Sequence, residues 1–282
     1  MSAVRWAAAL ALVPQLLEAQ GSPQWRSVDI SRQLRDSVPQ RVKVRYTAGR
    51  VDVRGTSDPV LYAMHLRYDE GHATPLHAYD ADQRSVRLGL EPLADGARVR
   101  RSGEDGELRL ALPRAVPLDL DLQFGGAGAR LDLGGLALRS LRLDCGATEA
   151  VLAFATPNIE RMRELEVNVG AADFTAQRLA NANADLLLIR AGAGAVDLDF
   201  SGRWSRDLAA NVRVAVGKLV VRIPPDVGVR VELHRFAVGF EHEGLVKRDD
   251  AWYSEGYDAA QYKLRLHAES VFGGIQIRRS VR

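Results

Sequence analysis

Hydrophobic and polar residues alternate one by one through much of this chain. Val42-Lys43-Val44-Arg45-Tyr46, Val51-Asp52-Val53, Val86-Arg87-Leu88 and Leu108-Arg109-Leu110-Ala111-Leu112 all follow the pattern. Successive side chains of a strand point to opposite faces, so this period predicts strands with one buried and one wet face. Pro59, Pro75, Pro92, Pro113 and Pro117 fall between the runs, where turns belong. The stretch 20–40 is polar and has no clear period, which predicts a linker, or a weakly held first element, ahead of an N-terminal β segment at 41–115.

Residues 116–282 add a longer period. Five segments align on a glycine that follows a strand: Leu120–Gly125, Leu141–Gly146, Leu165–Gly170, Leu187–Gly192 and Val212–Gly217, with glycine spacings of 21, 24, 22 and 25. One buried column reads Leu122, Leu143, Val167, Ile189, Val214, and the next reads Phe124, Cys145, Val169, Ala191, Val216. Past the glycine come Ala129, Ala150, Phe174, Val196, Val221 and then Leu131, Leu152, Ala176, Leu198, Ile223. Strand-type units of about 21–25 residues cannot bury an apolar face singly, so they are expected to stack and share a core. The predicted fold class is all-β, a β-solenoid-like stack of short strands. Pro224-Pro225 ends the fifth unit. The stretch from His234 to Tyr262 is expected to form an irregular C-terminal cap, and Leu264-Arg265-Leu266 with Val271 to Ile277 echo the repeat.

The glycine-centred motifs resemble the putative-adhesin, or toastrack, family of bacterial envelope β-domains. They are also similar to the C-terminal domain of LiaF-like envelope-stress proteins. The residues that carry the likeness are Gly125-Gly-Ala-Gly128, Gly146-Ala147, Gly170-Ala171, Gly192-Ala-Gly194, the run Val216 to Val231 and Phe272-Gly-Gly-Ile275. They span roughly 105–280. The resemblance implies a cell-envelope protein and transfers no catalytic residue. The membrane helices of the LiaF-like pattern are missing from this sequence.

The first residues change the picture of where the protein works. Met1 to Arg5, the apolar stretch Trp6–Leu17 and the exit Glu18-Ala19-Gln20 have the layout of a secretory signal over 1–19. That predicts export to the periplasm or the outside, with no transmembrane segment in the mature chain. The single cysteine excludes an internal disulfide and a cysteine zinc site. It lies in a buried column and reads as an inert core thiol. With 38 Lys+Arg against 36 Asp+Glu the formal charge is +2, which supplies no field for nucleic acid.

Two polar clusters are candidates for chemistry. His65, Asp69, Glu70, His72, His77 and Asp80 lack the even or i,i+4 spacing of metal ligands, so the expectation is a solvated loop and no metal. His234, His242, Trp252, Tyr253 and Tyr257 combine aromatic rings with nearby acids and form the candidate ligand surface, the other reading being a capping loop. No cofactor or catalytic residue is expected. The function expected is that of an exported, non-enzymatic structural or interaction protein whose partner is an envelope protein or a glycan. The alternatives are a polysaccharide-binding or -processing β-helix and an accessory in envelope-stress signalling.

Overall fold

The computed structural model describes residues 23–93, 106–146, 149–171 and 173–279. The expected export signal at 1–19 lies outside them. The strands are β1 Trp25–Gln33, β2 Gln40–Thr56, β3 Val60–Asp69, β4 Ala73–Asp80, β5 Ser85–Pro92, β6 Glu107–Pro113 and β7 Pro117–Asp132. They continue with β8 Ala137–Cys145, β9 Ala150–Ala153, β10 Met162–Ala171, β11 Phe174–Gln177, β12 Ala184–Asp199 and β13 Leu208–Ile223. The last four are β14 Gly228–His242, β15 Leu245–Arg248, β16 Ala251–Ser254 and β17 Lys263–Arg279. Apart from one 3-10 turn at Leu179–Ala182, the regular structure among the described residues is all β.

The organising feature is a parallel ladder. β2 pairs with β7, β7 with β8 and β9, these with β10 and β11, these with β12, then β13, β17 and β14. Each rung has two arms that meet at a corner. On the first arm one in-register column is Val44, Leu122, Leu143, Val167, Ile189, Val212 and Ala268. All seven are buried. On the second arm Val53, Leu131, Leu152, Ala176, Leu198, Val221 and Ile277 form another buried column. The return stretches also bond rung to rung: Phe154 N–H to Gln177 O, Asn158 N–H to Asn181 O, and Phe200 N–H to Arg222 O. Stacking thus satisfies the backbone of the loops as well as of the strands.

The first four glycine corners pile up as the repeat predicts. A Cβ on Gly146 would lie 2.4 Å from Gly125 O, one on Gly170 2.7 Å from Gly146 O, and one on Gly192 2.6 Å from Gly170 O. The fifth corner differs. Gly217 pairs with Gly194, and Ile189 and Ala191 pair with Val212 and Val214, two residues from the register that aligning Gly217 with Gly192 implies. Val216 is therefore a half-exposed corner residue and not a core one. A slip of two keeps every side chain on its own face, so the alternation is blind to it.

Three further expectations change. The 20–40 stretch holds β1, antiparallel to β3 along its length. No residue of β1 is fully buried; only Val28 and Ile30 alternate with polar neighbours and pack against the core, a run too short to announce the strand. The 65–80 segment is two strands joined by a turn, with His65 on β3 and His77 on β4, and not a solvated loop. The 234–262 stretch opens as regular strand: β14 is the terminal rung, and only the β15–β16 hairpin and the turns around it depart from the ladder. β17 inserts between β13 and β14, so chain order and rung order diverge at this end.

Candidate functional site

The five residues of the expected ligand surface fall in three places. Trp252 and Tyr253 are successive strand residues and face opposite ways. Trp252 packs against Phe240 and His242, with ring centroids 5.2 and 4.3 Å away. This set lies over the half-buried end of the core. On the other side Tyr253 meets Tyr257 edge-on at 5.1 Å, and the Tyr253 hydroxyl accepts a hydrogen bond from Arg230 at 2.9 Å. Arg248 stands 5.6 Å from the Tyr253 ring and Lys263 5.8 Å from the Tyr257 ring. The chain's own cations thus approach these ring faces. His234 lies apart, its ring 4.8 Å from that of His267.

The first polar cluster is dispersed as well. His65 Nδ1 is 2.7 Å from Asp29 Oδ1, and His72 Nδ1 is 2.7 Å from Asp69 Oδ2. Asp80 accepts the backbone N–H groups of Asp82 and Gln83 and so ties the β4–β5 turn. Among the described residues no group of three or more His, Cys, Asp or Glu is arranged to hold a metal ion. Cys145 is buried in its column, and burial followed by the nearby Asp144 charge pushes its thiol up to about 12, far from the reactive thiolate range.

One recess is not signalled by residue spacing. β1, β3, β6, β2, β7 and β9 lie side by side and form a cleft of about 780 Å³. Its central row crosses the strands as Asp29, His65, Arg109, Asp52, Arg130 and Val151. Ser31, Ala63, Ala111 and Gly128 line it with small side chains and leave it open. Arg109 is held by Glu107 at 2.8 Å, and His65 by Asp29. Arg50, Arg54, Arg130 and Asp52 make no side-chain hydrogen bond or ion pair with a described residue. Their positions follow from strand alternation: Val51 and Val53 are buried, so Arg50, Asp52 and Arg54 face out. Three uncommitted guanidinium groups and a carboxylate in one concavity can bind a polar partner through charge-assisted hydrogen bonds.

Among the described residues no helix is long and apolar enough to cross a membrane. No curated relative matches the chain in sequence. In overall shape it is similar to a putative cell adhesion protein from Clostridium sporogenes, at 16% identity and a TM-score of 0.49, over 92% of this chain and 100% of that one. It is also similar to a putative adhesin from Bacteroides fragilis, at 11% identity and a TM-score of 0.47, over 91% of this chain and 98% of that one. A third similar structure is a putative lipid binding protein from Parabacteroides distasonis, at 8% identity and a TM-score of 0.37, over 91% and 97%. In sequence, residues 22–160 match the N-terminal domain of toast_rack, DUF2154. That match covers the cleft strands and overlaps the glycine motifs only over their first third. Residues 22–160 of this chain thus form a toast_rack N-terminal domain.

Proposed function

We propose that this protein is an exported, non-enzymatic interaction module of the cell envelope. In this reading residues 1–19 are its leader and the solenoid-like stack is a rigid rack. The rack presents the β1–β3–β6–β2–β7–β9 cleft to a charged envelope partner, a protein segment or a glycan. The observation that carries the reading is the uncommitted set Arg50, Arg54, Arg130 and Asp52 around a floor of small residues. Strands hold the backbone of these residues at fixed spacing, so binding has only their side chains left to order.

A photo-crosslinking residue at Ala111, on the cleft floor, tests this in envelope preparations and on arrays of envelope polysaccharides. The expected result is an adduct or bound glycan that Arg54→Glu with Arg130→Glu abolishes while the melting temperature stays unchanged. Binding that survives the double charge reversal and is lost in Trp252→Ala would move the contact to the aromatic end and overturn the cleft assignment.

A further inference from the structure

On the outward face of the first arm one line of charges running from rung to rung alternates in sign. Lys43 pairs with Asp121 at 3.0 Å. Arg142 on the next rung, also held by Asp144 of its own strand at 3.0 Å, pairs with Glu166 at 2.7 Å, and Glu166 pairs with Arg190 at 2.5 Å. Beyond the next interval Arg213 pairs with Glu269 at 2.5 Å, and Glu269 with His267 at 3.1 Å. His267 reaches Glu232 on the terminal rung at 3.4 Å. The alternation fails at one step. Arg190 and Arg213 are direct cross-strand neighbours, and the adjoining pair is Leu188 opposite Asn211, with no acid between the two guanidinium groups.

Like charges facing each other on neighbouring strands are unfavourable. Here each arginine turns to its acid on the far side, Arg190 to Glu166 and Arg213 to Glu269. The space between them is a recess of about 500 Å³ lined by Leu188, Arg190, Asn211, Arg213, His267 and Glu269. The Asn211 amide has no hydrogen-bond partner among the described residues and adds two donors to the guanidinium N–H groups left over. An anion seated there completes the sequence acid, Arg190, anion, Arg213, acid. We infer that this recess is a binding site for a single oxyanion group, carboxylate, sulfate or phosphate, held between Arg190 and Arg213 with Asn211 beneath. It stands on the opposite arm from the cleft and does not depend on it.

Sodium sulfate and sodium acetate, titrated against chloride at constant ionic strength, give the test, read from the amide signals of Leu188 and Asn211 and the Nε–H signals of both arginines. The expected result is a saturable shift confined to those groups, weakened at least tenfold in Arg190→Gln with Arg213→Gln. Asn211→Asp supplies the missing negative charge from the chain itself. It should abolish the titration and leave the protein at least as heat-stable as the wild type. Oligogalacturonate added at equal carboxylate concentration separates the sources: tighter binding than acetate identifies a polymer-borne group, equal binding a free anion. Shifts that stay linear in salt, spread over the surface, or persist in both variants overturn the site.

Discussion

Gly194 O occupies the place where a side chain on Gly217 would begin: a Cβ there would lie 1.8 Å from it. Gly217 also holds φ of +142°, a region that side-chain-bearing residues rarely adopt. Gly217→Ala should therefore cost about 3 kcal/mol of stability, as strain and overlap act together. Gly128 is the control, since no atom lies within 4 Å of its Cβ position and its φ is not positive. Gly128→Ala should be neutral or stabilise by up to about 1 kcal/mol. Equal denaturant midpoints for the two variants would contradict the corner geometry.

Val167 lies between Leu143 and Ile189 in a column closed to solvent. Val167→Asp places a carboxylate there without a partner and should cost about 4 kcal/mol, enough to unfold a domain of ordinary stability. A cooperative melt near the wild-type temperature would show that the column is not the core.

Asn181 bridges three successive return stretches. Its amide donates to Phe154 O at 2.9 Å, and its side-chain carbonyl accepts from Arg203 N–H at 2.7 Å. It is 5% exposed, so water cannot replace either bond. Asn181→Ala should cost about 2 kcal/mol, and Asn181→Leu should not restore it, because both backbone groups stay unpaired. Thermal melts of the two variants check this.

Glu269 provides a pH signature. The hydrogen bond from Arg213, then that from His267, holds its carboxyl at about 2, below the roughly 4.3 of an unfolded glutamate. A group depressed in this way gives its full stabilisation above the unfolded value and loses it as pH falls through the folded one. Urea midpoints of the wild type should fall between roughly pH 4.5 and 2, and Glu269→Gln should flatten that part of the curve. Parallel acid limbs would dissociate the carboxyl from stability.

Arg235 folds back across the free edge of the terminal rung. It donates to Val238 O at 3.0 Å and lies 5.7 Å from the Phe240 ring centroid, while neighbouring Phe236 is 82% exposed. A charge on an edge strand discourages pairing with another chain. Arg235→Val should produce concentration-dependent self-association on size-exclusion chromatography; an unchanged monomer peak would refute the role.

How much of this the sequence displays depends on the kind of order involved. Val42, Val44 and Tyr46, or Leu141 and Leu143, announce their strands because one face is fully buried. The corners at Gly125, Gly146, Gly170 and Gly192 are legible because a short period brings them together. The shift at Gly194–Gly217 is hidden, since a period of two is unchanged by a slip of two. β14 is masked because its alternation changes phase at the Phe236 corner and its second arm is only half-buried. The cleft is illegible for another reason: Asp29, His65, Arg109, Asp52 and Arg130 meet through antiparallel and parallel pairings with no common spacing.

The insertion of β17 between β13 and β14 sets an order of assembly. From β7 to β13 each rung can settle on the one made just before it, a zipper advancing by about two dozen residues at a time. β14 has no rung to settle on until Leu264 of β17 joins Leu208 of β13, so the later strand is the keystone that seats the one made before it. Two longer closures frame that zipper, β7 onto β2 across 78 residues and β17 onto β13 across 56, and these steps, with their larger entropy of closure, are where folding of this chain slows.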